Sequence, residues 1–474
     1  MQFGGPEAQK KLEKSLLKKL DLRMSILVVI YILNYIDRNS TAAARLRGFE
    51  EDLGLEGSQF ASILSILYVG YILMQIPSNM FLSQISRPSI YLPSCMMIWG
   101  AVSLLTADFT VFSYYGALFA RFVLGFVEAA FFPGALYLIA RWYRRSELSQ
   151  RTAFLTCGSL ISNAFGSLIA SGILDLMDGA FGYAAWRWLF FIEGGVTVLV
   201  AILALFILPD FPENESISWL TASEHAIAKW RVIEDNGGVP AAKPIGEGED
   251  HSPKSDSAIA GLVLAILDWK VWYLAVSLFL FALCLSFHLY FPTLTATMGY
   301  NPIVSLLLCV PPWMVATAWA LWLSGHSDKT GDRCMCIVAS LAIGTTGFLL
   351  SMSTMNLAVR YFSLFLMAQT FAGFICFLAW ASATVSNPPQ KRAVAIALIN
   401  TVSQSGNIVG AYVWVKSWGP SYNKSYAICT ASAVGCATMC LCLRSVLQRM
   451  NLEMDKKDER NGMDTTGRRW RYHT

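Results

Sequence analysis

In "RFVLGFVEAAFFPG", residues 121 to 134, Arg121 and Glu128 stand seven apart in a stretch otherwise suited to hydrocarbon. A charged side chain at the centre of a membrane helix costs about 2.5–3.5 kcal/mol on insertion scales, so such residues rarely persist without a role. A spacing of seven puts both on one helix face, about 10.5 Å apart along the axis, too far for a close ion pair between them. Gly125 lies between them on that face and leaves volume that suits either a cavity or close helix packing. "NYIDRNS", residues 34 to 40, adds Asp37 and Arg38, for which an interfacial ion pair or a snorkelling arginine is the plainer use.

These residue types divide the labour of moving an anion. Arginine stays charged and forks onto a carboxylate, so Arg38 and Arg121 are candidates to hold an anion. Carboxyls respond to burial and to nearby charge, so Asp37 and Glu128 are candidates to carry protons. One proton with a monoanion moves no net charge and is driven by the pH difference, about 1.36 kcal/mol per unit. A second proton adds about 2.3 kcal/mol per 100 mV of membrane potential. His288 in "SFHLYFPT" joins the substrate-binding candidates, although a lone histidine more often packs; Glu193 in "WRWLFFIEGG" can take part or simply pair with a neighbouring helix. Tyr290, Trp313 and Trp380 can line a pocket, but aromatics on membrane helices usually pack.

The chain that must position these groups has 474 residues, 55% of them hydrophobic and 14% charged, with a mean hydropathy of +0.48. Soluble domains are less apolar and nearer 25% charged, so this is an integral membrane protein. About twelve apolar runs recur, at 22–42, 58–81, 90–107, 112–140, 152–174, 186–208, 269–295, 304–325, 335–354, 359–386, 392–415 and 424–446. Runs this long exclude membrane β-strands, and the fold class is all-α and polytopic. Lys10, Lys11, Lys14, Lys18, Lys19 and Arg23 crowd the N-terminus, and later basic loops fall on the same side, so both termini are expected in the cytoplasm. The first span is too long and too late for a signal peptide.

"EAQKKLEKSLLKKLDLR" sets Leu12, Leu16, Leu17 and Leu20 on one face and lysines on the other, as a membrane-surface helix would. Residues 1–21 are thus expected to form a cytoplasmic amphipathic segment. The 11 cysteines lie in or beside apolar spans without zinc spacing and are taken as small core residues. No metal, cofactor or nucleic-acid partner is expected. Absence of a nucleophile with its base or of a phosphate loop argues against an enzyme. The bilayer, protons and a small organic anion are the expected partners of a monomer.

Between Pro209 and about Asp268 the composition turns polar, ending in "VPAAKPIGEGEDHSPKSDS", which divides the spans six and six. The expected organisation is a bundle over 22–208, a linker over 209–268, a second bundle over 269–446 and a tail over 447–474. A shift of 241 lays Arg151 on Arg392 and the polar residues Ser159, Ser162 and Asn163 on Asn400, Ser403 and Gln404. Asn400, Ser403, Gln404 and Asn407 share one helix face, and matching stripes in two half-repeats favour a shared aqueous cavity over simple helix glue. The same shift lays Glu128 on Gln369 and Arg121 on Phe362, so on this register the second half has lost the charges.

"YILNYIDRNS", "RFVLGFVEAAFFPGALYLIARWYRRSE" and "AAWRWLFFIEGG" together resemble the major facilitator superfamily, and more narrowly its anion:cation symporters of the fungal allantoate permease type. "FPTLTATMGY" and "VPPWMVATAWALWLSGHSDKTGDR" strengthen the resemblance, which covers about residues 10 to 446. It implies two six-helix bundles, alternating access, and uptake of a small organic anion with protons across the plasma membrane. It also implies anion binding and proton coupling at Arg121 and Glu128, with comparable work at Asp37 and Arg38. "SQISRPSIY" lacks the Asp-Arg pattern common in the superfamily, whereas "GHSDKTGDR" keeps a version of it. No Gly-Pro pair of the drug/proton antiporter kind stands in helix five, which counts modestly against export. An exporter of an acidic metabolite and a sensor that binds without transport remain the alternatives.

Overall fold

A computed structural model describes residues 6–85, 87–108, 113–212, 219–235, 263–385 and 389–460, and their regular structure is helical without strand. Two compact units are present, one of Met1–Leu55 with Val69–Glu249, the other of Glu56–Tyr68 with Asp250–Thr474. Ten helices among the described residues are long and apolar enough to cross a bilayer. The expected spans at 22–42 and 58–81 fall in two further helices, α1 (Pro6–Ala44) and α2 (Gln59–Gln84). In α1 the run from Asn34 to Ser40 lowers the hydropathy of the helix. Large apolar side chains such as Phe119, Phe154, Leu199 and Phe206 face outward, which suits lipid and not water.

The first unit continues with α3 (Pro88–Asp108), α4 (Tyr114–Glu128), α5 (Phe131–Trp142), α6 (Arg145–Leu176), α7 (Ala185–Ile207) and α8 (Ala222–Asp235). Glycines set how closely these pack. A Cβ on Gly70 of α2 would collide with the Phe122 carbonyl of α4, and one on Gly194 of α7 would stand 2.9 Å from the Gly100 carbonyl of α3. Backbones approach where no side chain intervenes, which is the usual means of helix association in lipid. The expected single span 112–140 is found as one span, Tyr114–Trp142, with a kink just after Glu128, where Pro133 has no N–H to return to Ala129 and α5 starts from Phe131.

The N-terminal segment differs from the expected membrane-surface helix. Residues 6–44 form one unbroken helix, and Leu16 and Leu20 are fully buried inside the unit. The leucine face packs on α8, where Ile227 and Ala228 are also buried. Ser15 Oγ and Lys19 Nζ reach Glu224 at 3.0 and 2.9 Å, and buried Arg231 pairs with Glu147 at 2.5 Å. An amphipathic pattern fits a protein groove as well as a lipid surface, and here a later segment supplies the groove.

The second unit holds α9 (Trp269–Leu285), α10 (Val310–Thr330), α11 (Arg333–Ser353), α12 (Leu357–Ala368), α13 (Thr370–Thr384), α14 (Pro389–Ala411) and α15 (Asn423–Arg460). The polar stretch 239–257 and the tail "GRRWRYHT" lie outside the described residues. Nine of the eleven cysteines are buried, in keeping with small core residues. Trp313, Trp380 and Tyr290 are fully buried in packing, Trp313 between Phe291 and Phe371 at 5.0 and 5.1 Å.

The internal repeat needs a correction. Phe362, the expected match of Arg121, is 57% exposed, whereas Arg121 is buried. The buried faces of α4 and α12 instead coincide at a shift of 239, which lays Arg121 on Arg360, Leu124 on Ser363 and Glu128 on Met367. The helices that follow differ in length, 12 residues in α5 and 15 in α13, so a register taken from the basic loops slips by two upstream of them. The second half therefore keeps an arginine, and the charge it lacks is the carboxylate.

A candidate proton and anion site in the first unit

One turn of α1 carries the site. A helix presents successive side chains at 100° intervals, so Asp37, Arg38, Asn39 and Ser40 reach five different helices. Arg38 Nε donates to Glu128 Oε2 of α4 at 2.6 Å, and the Arg38 guanidinium lies over the rings of Tyr71 and Tyr35 at 4.8 and 5.2 Å. The Asp37 carboxyl receives weak bonds from Ser103 of α3 and Thr197 of α7, both 3.4 Å. Arg121 Nη1 donates to the Asp37 main-chain carbonyl at 3.2 Å and lies over the Phe190 ring at 5.6 Å. Ser40 Oγ contacts Glu193 Oε2 of α7. Asn39 Nδ2 donates to Asn163 Oδ1 of α6 at 2.8 Å.

Arg121 and Glu128 thus meet in one cluster through α1 and not through each other, as their axial separation requires. Asp37, Arg121, Glu128 and Glu193 are 2%, 4%, 1% and 4% exposed, whereas Arg38 and Asn39 are half-buried. Charges taken out of water hold only when paired and hydrogen-bonded, and here the Arg38–Glu128 pair and the hydroxyl donors supply the pairing. Among the described residues no group of acidic, histidine or cysteine side chains could hold a metal ion.

Pattern reading missed several members. Tyr71 and Thr197 carry no charge to betray them, and Ser40 resembles any small helix residue. Glu193 was visible only as a charge in an apolar run. The second-unit candidates form a separate group. Asn407 Nδ2 donates to Gln404 Oε1 at 2.9 Å on α14, with Asn400 half-buried on the same helix. His288 Nδ1 lies 2.7 Å from the Leu285 carbonyl, with its ring against Phe371, as a packing histidine does. Arg360, the counterpart of Arg121, also uses main-chain carbonyls, those of Pro420 and Ser421 at 3.2 and 3.3 Å. No Asp or Glu is buried in the described part of the second unit.

A helical chain in two units, with ionisable groups sealed among its apolar spans, is a polytopic membrane transporter. Sequence comparison agrees over residues 27–411, and the chain belongs to the Major Facilitator Superfamily. The MFS-type transporter cnsO of Penicillium expansum is 30% identical over 434 residues, covering 89% of this chain and 80% of that one. A putative tartrate transporter of Agrobacterium vitis is 28% identical, covering 87% and 90%. Among solved structures, the proton:xylose symporter XylE matches with a TM-score of 0.66 at 15% identity, covering 88% of this chain and 95% of that one, which establishes the shared fold.

Proposed function

We propose that this transporter is a symporter that imports a small organic anion, a carboxylate, together with protons by alternating access. The buried Arg38–Glu128 pair carries the proposal. A guanidinium held by a carboxylate of the protein is the natural docking point for a carboxylate of a substrate, and the two compete for it. Protonation of Glu128 removes its claim on Arg38, and the arriving anion takes the vacated charge. The proton and the anion then enter together because neither state leaves Arg38 buried without a counter-charge.

Arg121 supplies the second cationic anchor, aimed at the turn that carries Asp37, and Asp37 is the second acid able to take a proton. Asn163, with its partner Asn39, extends the polar surface in the first unit; Asn400, Gln404, Asn407 and His288 are the second unit's contribution to substrate shape. Relatives support the substrate class only through the tartrate named for the Agrobacterium protein. Residence in the plasma membrane with both termini in the cytoplasm, and a monomeric state, complete the proposal.

The test is uptake of tartrate and a panel of other small carboxylates by cells at two external pH values. Acid outside should stimulate uptake of the true substrate, Arg121→Gln should abolish its binding, and Glu128→Gln should permit exchange while abolishing proton-driven accumulation. Full accumulation by Glu128→Gln refutes the role of that residue. Efflux of labelled product from preloaded cells against its gradient selects an exporter, and saturable binding without flux in proteoliposomes selects a sensor.

A further inference from the structure

The Arg38 guanidinium stands at the head of a run of aromatic rings. Tyr71 of α2 and Tyr35 of α1 lie against it at 4.8 and 5.2 Å. Tyr31, one turn before Tyr35 on α1, meets the Tyr35 ring edge-on at 4.9 Å and stacks on Phe132 of α5 at 5.3 Å. Tyr31 and Arg38 are seven positions apart, so the wall runs about 10.5 Å along α1. Its members differ in exposure. Tyr31 and Tyr71 are buried, whereas Tyr35, Arg38, Asn39 and Phe132 are half-buried. Tyr35, Arg38 and Asn39 stand at i, i+3 and i+4 and so share one face of α1. A guanidinium and an amide do not face hydrocarbon, so the accessible part of that face is open to a water-borne ligand.

The hydroxyls around the cluster are committed elsewhere. Ser40, Ser103 and Thr197 are buried on α1, α3 and α7. On α6, Thr156, Ser159 and Ser167 give their hydrogens to carbonyls of their own helix at 2.8 Å. Asn39 donates to Asn163 at 2.8 Å. A polyhydroxy acid needs a partner for each hydroxyl it takes out of water, and the rings beside Arg38 supply faces instead. An aromatic acid uses such faces. Its carboxyl is conjugated with the ring and lies in the ring plane, so a forked pair with Arg38 sets the ring beside Tyr35, the half-buried ring that flanks the guanidinium.

We propose that the anion taken at Arg38 is an aromatic carboxylate, with Tyr35 as the platform on which its ring stacks and Phe132 continuing the wall. This deepens the symport reading and rests on its exchange at Arg38. Tyr35 then determines specificity, favouring planar acids over saturated ones of the same size.

Binding of radiolabelled acids to the purified protein in mildly acidic buffer tests this, since benzoic acid crosses bilayers unaided and would obscure uptake. Benzoate should bind roughly two- to tenfold more tightly than cyclohexanecarboxylate, the gain that an aromatic pair brings beyond its buried area. It should also bind more tightly than tartrate. Tyr35→Phe should keep the ratio of the two ring acids, and Tyr35→Leu should bring it near one. Phe132→Leu should lower it, which supplies a second variant if Tyr35→Leu does not fold. Because the ratio compares two acids within one protein, a merely structural role for Tyr35 would not move it. Equal binding of the two ring acids by the wild type, no binding of benzoate, or an unchanged ratio in a folded leucine variant overturns the proposal.

Failure of the aromatic class and failure of symport give different results. Proton-driven accumulation of tartrate or another non-aromatic acid, without binding of benzoate, leaves symport standing and overturns the aromatic class. The expected benzoate ratio, without proton-driven accumulation of any carboxylate, supports the aromatic site and overturns symport.

Discussion

Arg38 is the residue on which the site turns, because Glu128 below it and the Tyr71 and Tyr35 rings beside it hold its guanidinium in one place. A buried pair stabilises little relative to an apolar pair but is costly to break. Arg38→Gln leaves Glu128 without its counter-charge and should destabilise the protein by about 3–5 kcal/mol. Arg38→Gln/Glu128→Gln should recover most of that loss, as seen by thermal unfolding in detergent, although neither variant should accumulate substrate. Equal instability of the single and double variants would show that the pair is not the source of the cost. At this scale the sequence was informative for charged groups and poor for neutral ones. Arg121, Glu128, Asp37 and Arg38 announce themselves by their expense in lipid, whereas Ser40 and Thr197 are ordinary helix residues until α7 is placed against α1.

Among the elements, α8 is the one whose position pattern reading could not supply. An amphipathic face states that something apolar will cover it and leaves open what. Leu16 and Leu20 find α8, and the joint is fastened by Glu224, which accepts from Ser15, Lys19 and Thr221. Burial alone would raise the Glu224 carboxyl, but the Lys19 ammonium, the Thr221 amide and the two hydroxyls outweigh it and lower it to about 2. An acid held below its unfolded value, about 4.3, stabilises the fold fully above that value and ceases to do so as pH falls through the lower one. Docking of α8 should therefore be unchanged from neutral pH to about 4.3 and weaken below it. Hydrogen exchange of the α8 amides measures this, and Glu224→Gln should show the loosened state already at neutral pH.

The repeat was legible for a similar reason and misread for another. Loops and polar stripes gave the correspondence between halves, but a constant shift ignores the greater length of α13 over α5, and only buried faces showed that Arg121 answers to Arg360.

For the whole molecule, composition alone gave the class, since no soluble chain has so few charges over so many apolar runs, and the helices follow from the bilayer's demand for internal hydrogen bonds. Which neighbours the polar residues meet was not legible, because a polar residue facing a cavity and one facing another helix have the same spacing. Under the proposed exchange at Arg38 one proton moves with a monoanion, so the initial rate of uptake should not respond to an imposed membrane potential. A second net proton would instead change the accumulation ratio by about fiftyfold per 100 mV, from about 2.3 kcal/mol per charge. Uptake into proteoliposomes with the potential fixed by potassium and an ionophore distinguishes the two. Among the described residues the buried acids all belong to the first unit, so this measurement reports on that unit's chemistry.

Because α1 runs unbroken from Pro6 to Ala44, it also works as a pointer. Lys10 and Arg38 are separated by 28 positions on one rod, about 42 Å of helix. Tilting the rod by ten degrees about its inner end would sweep the far end through about 7 Å at that length. A spin label or fluorophore at residue 10 would therefore magnify movements at the buried turn that are too small to follow directly, and give a distance readout of turnover from outside the bilayer.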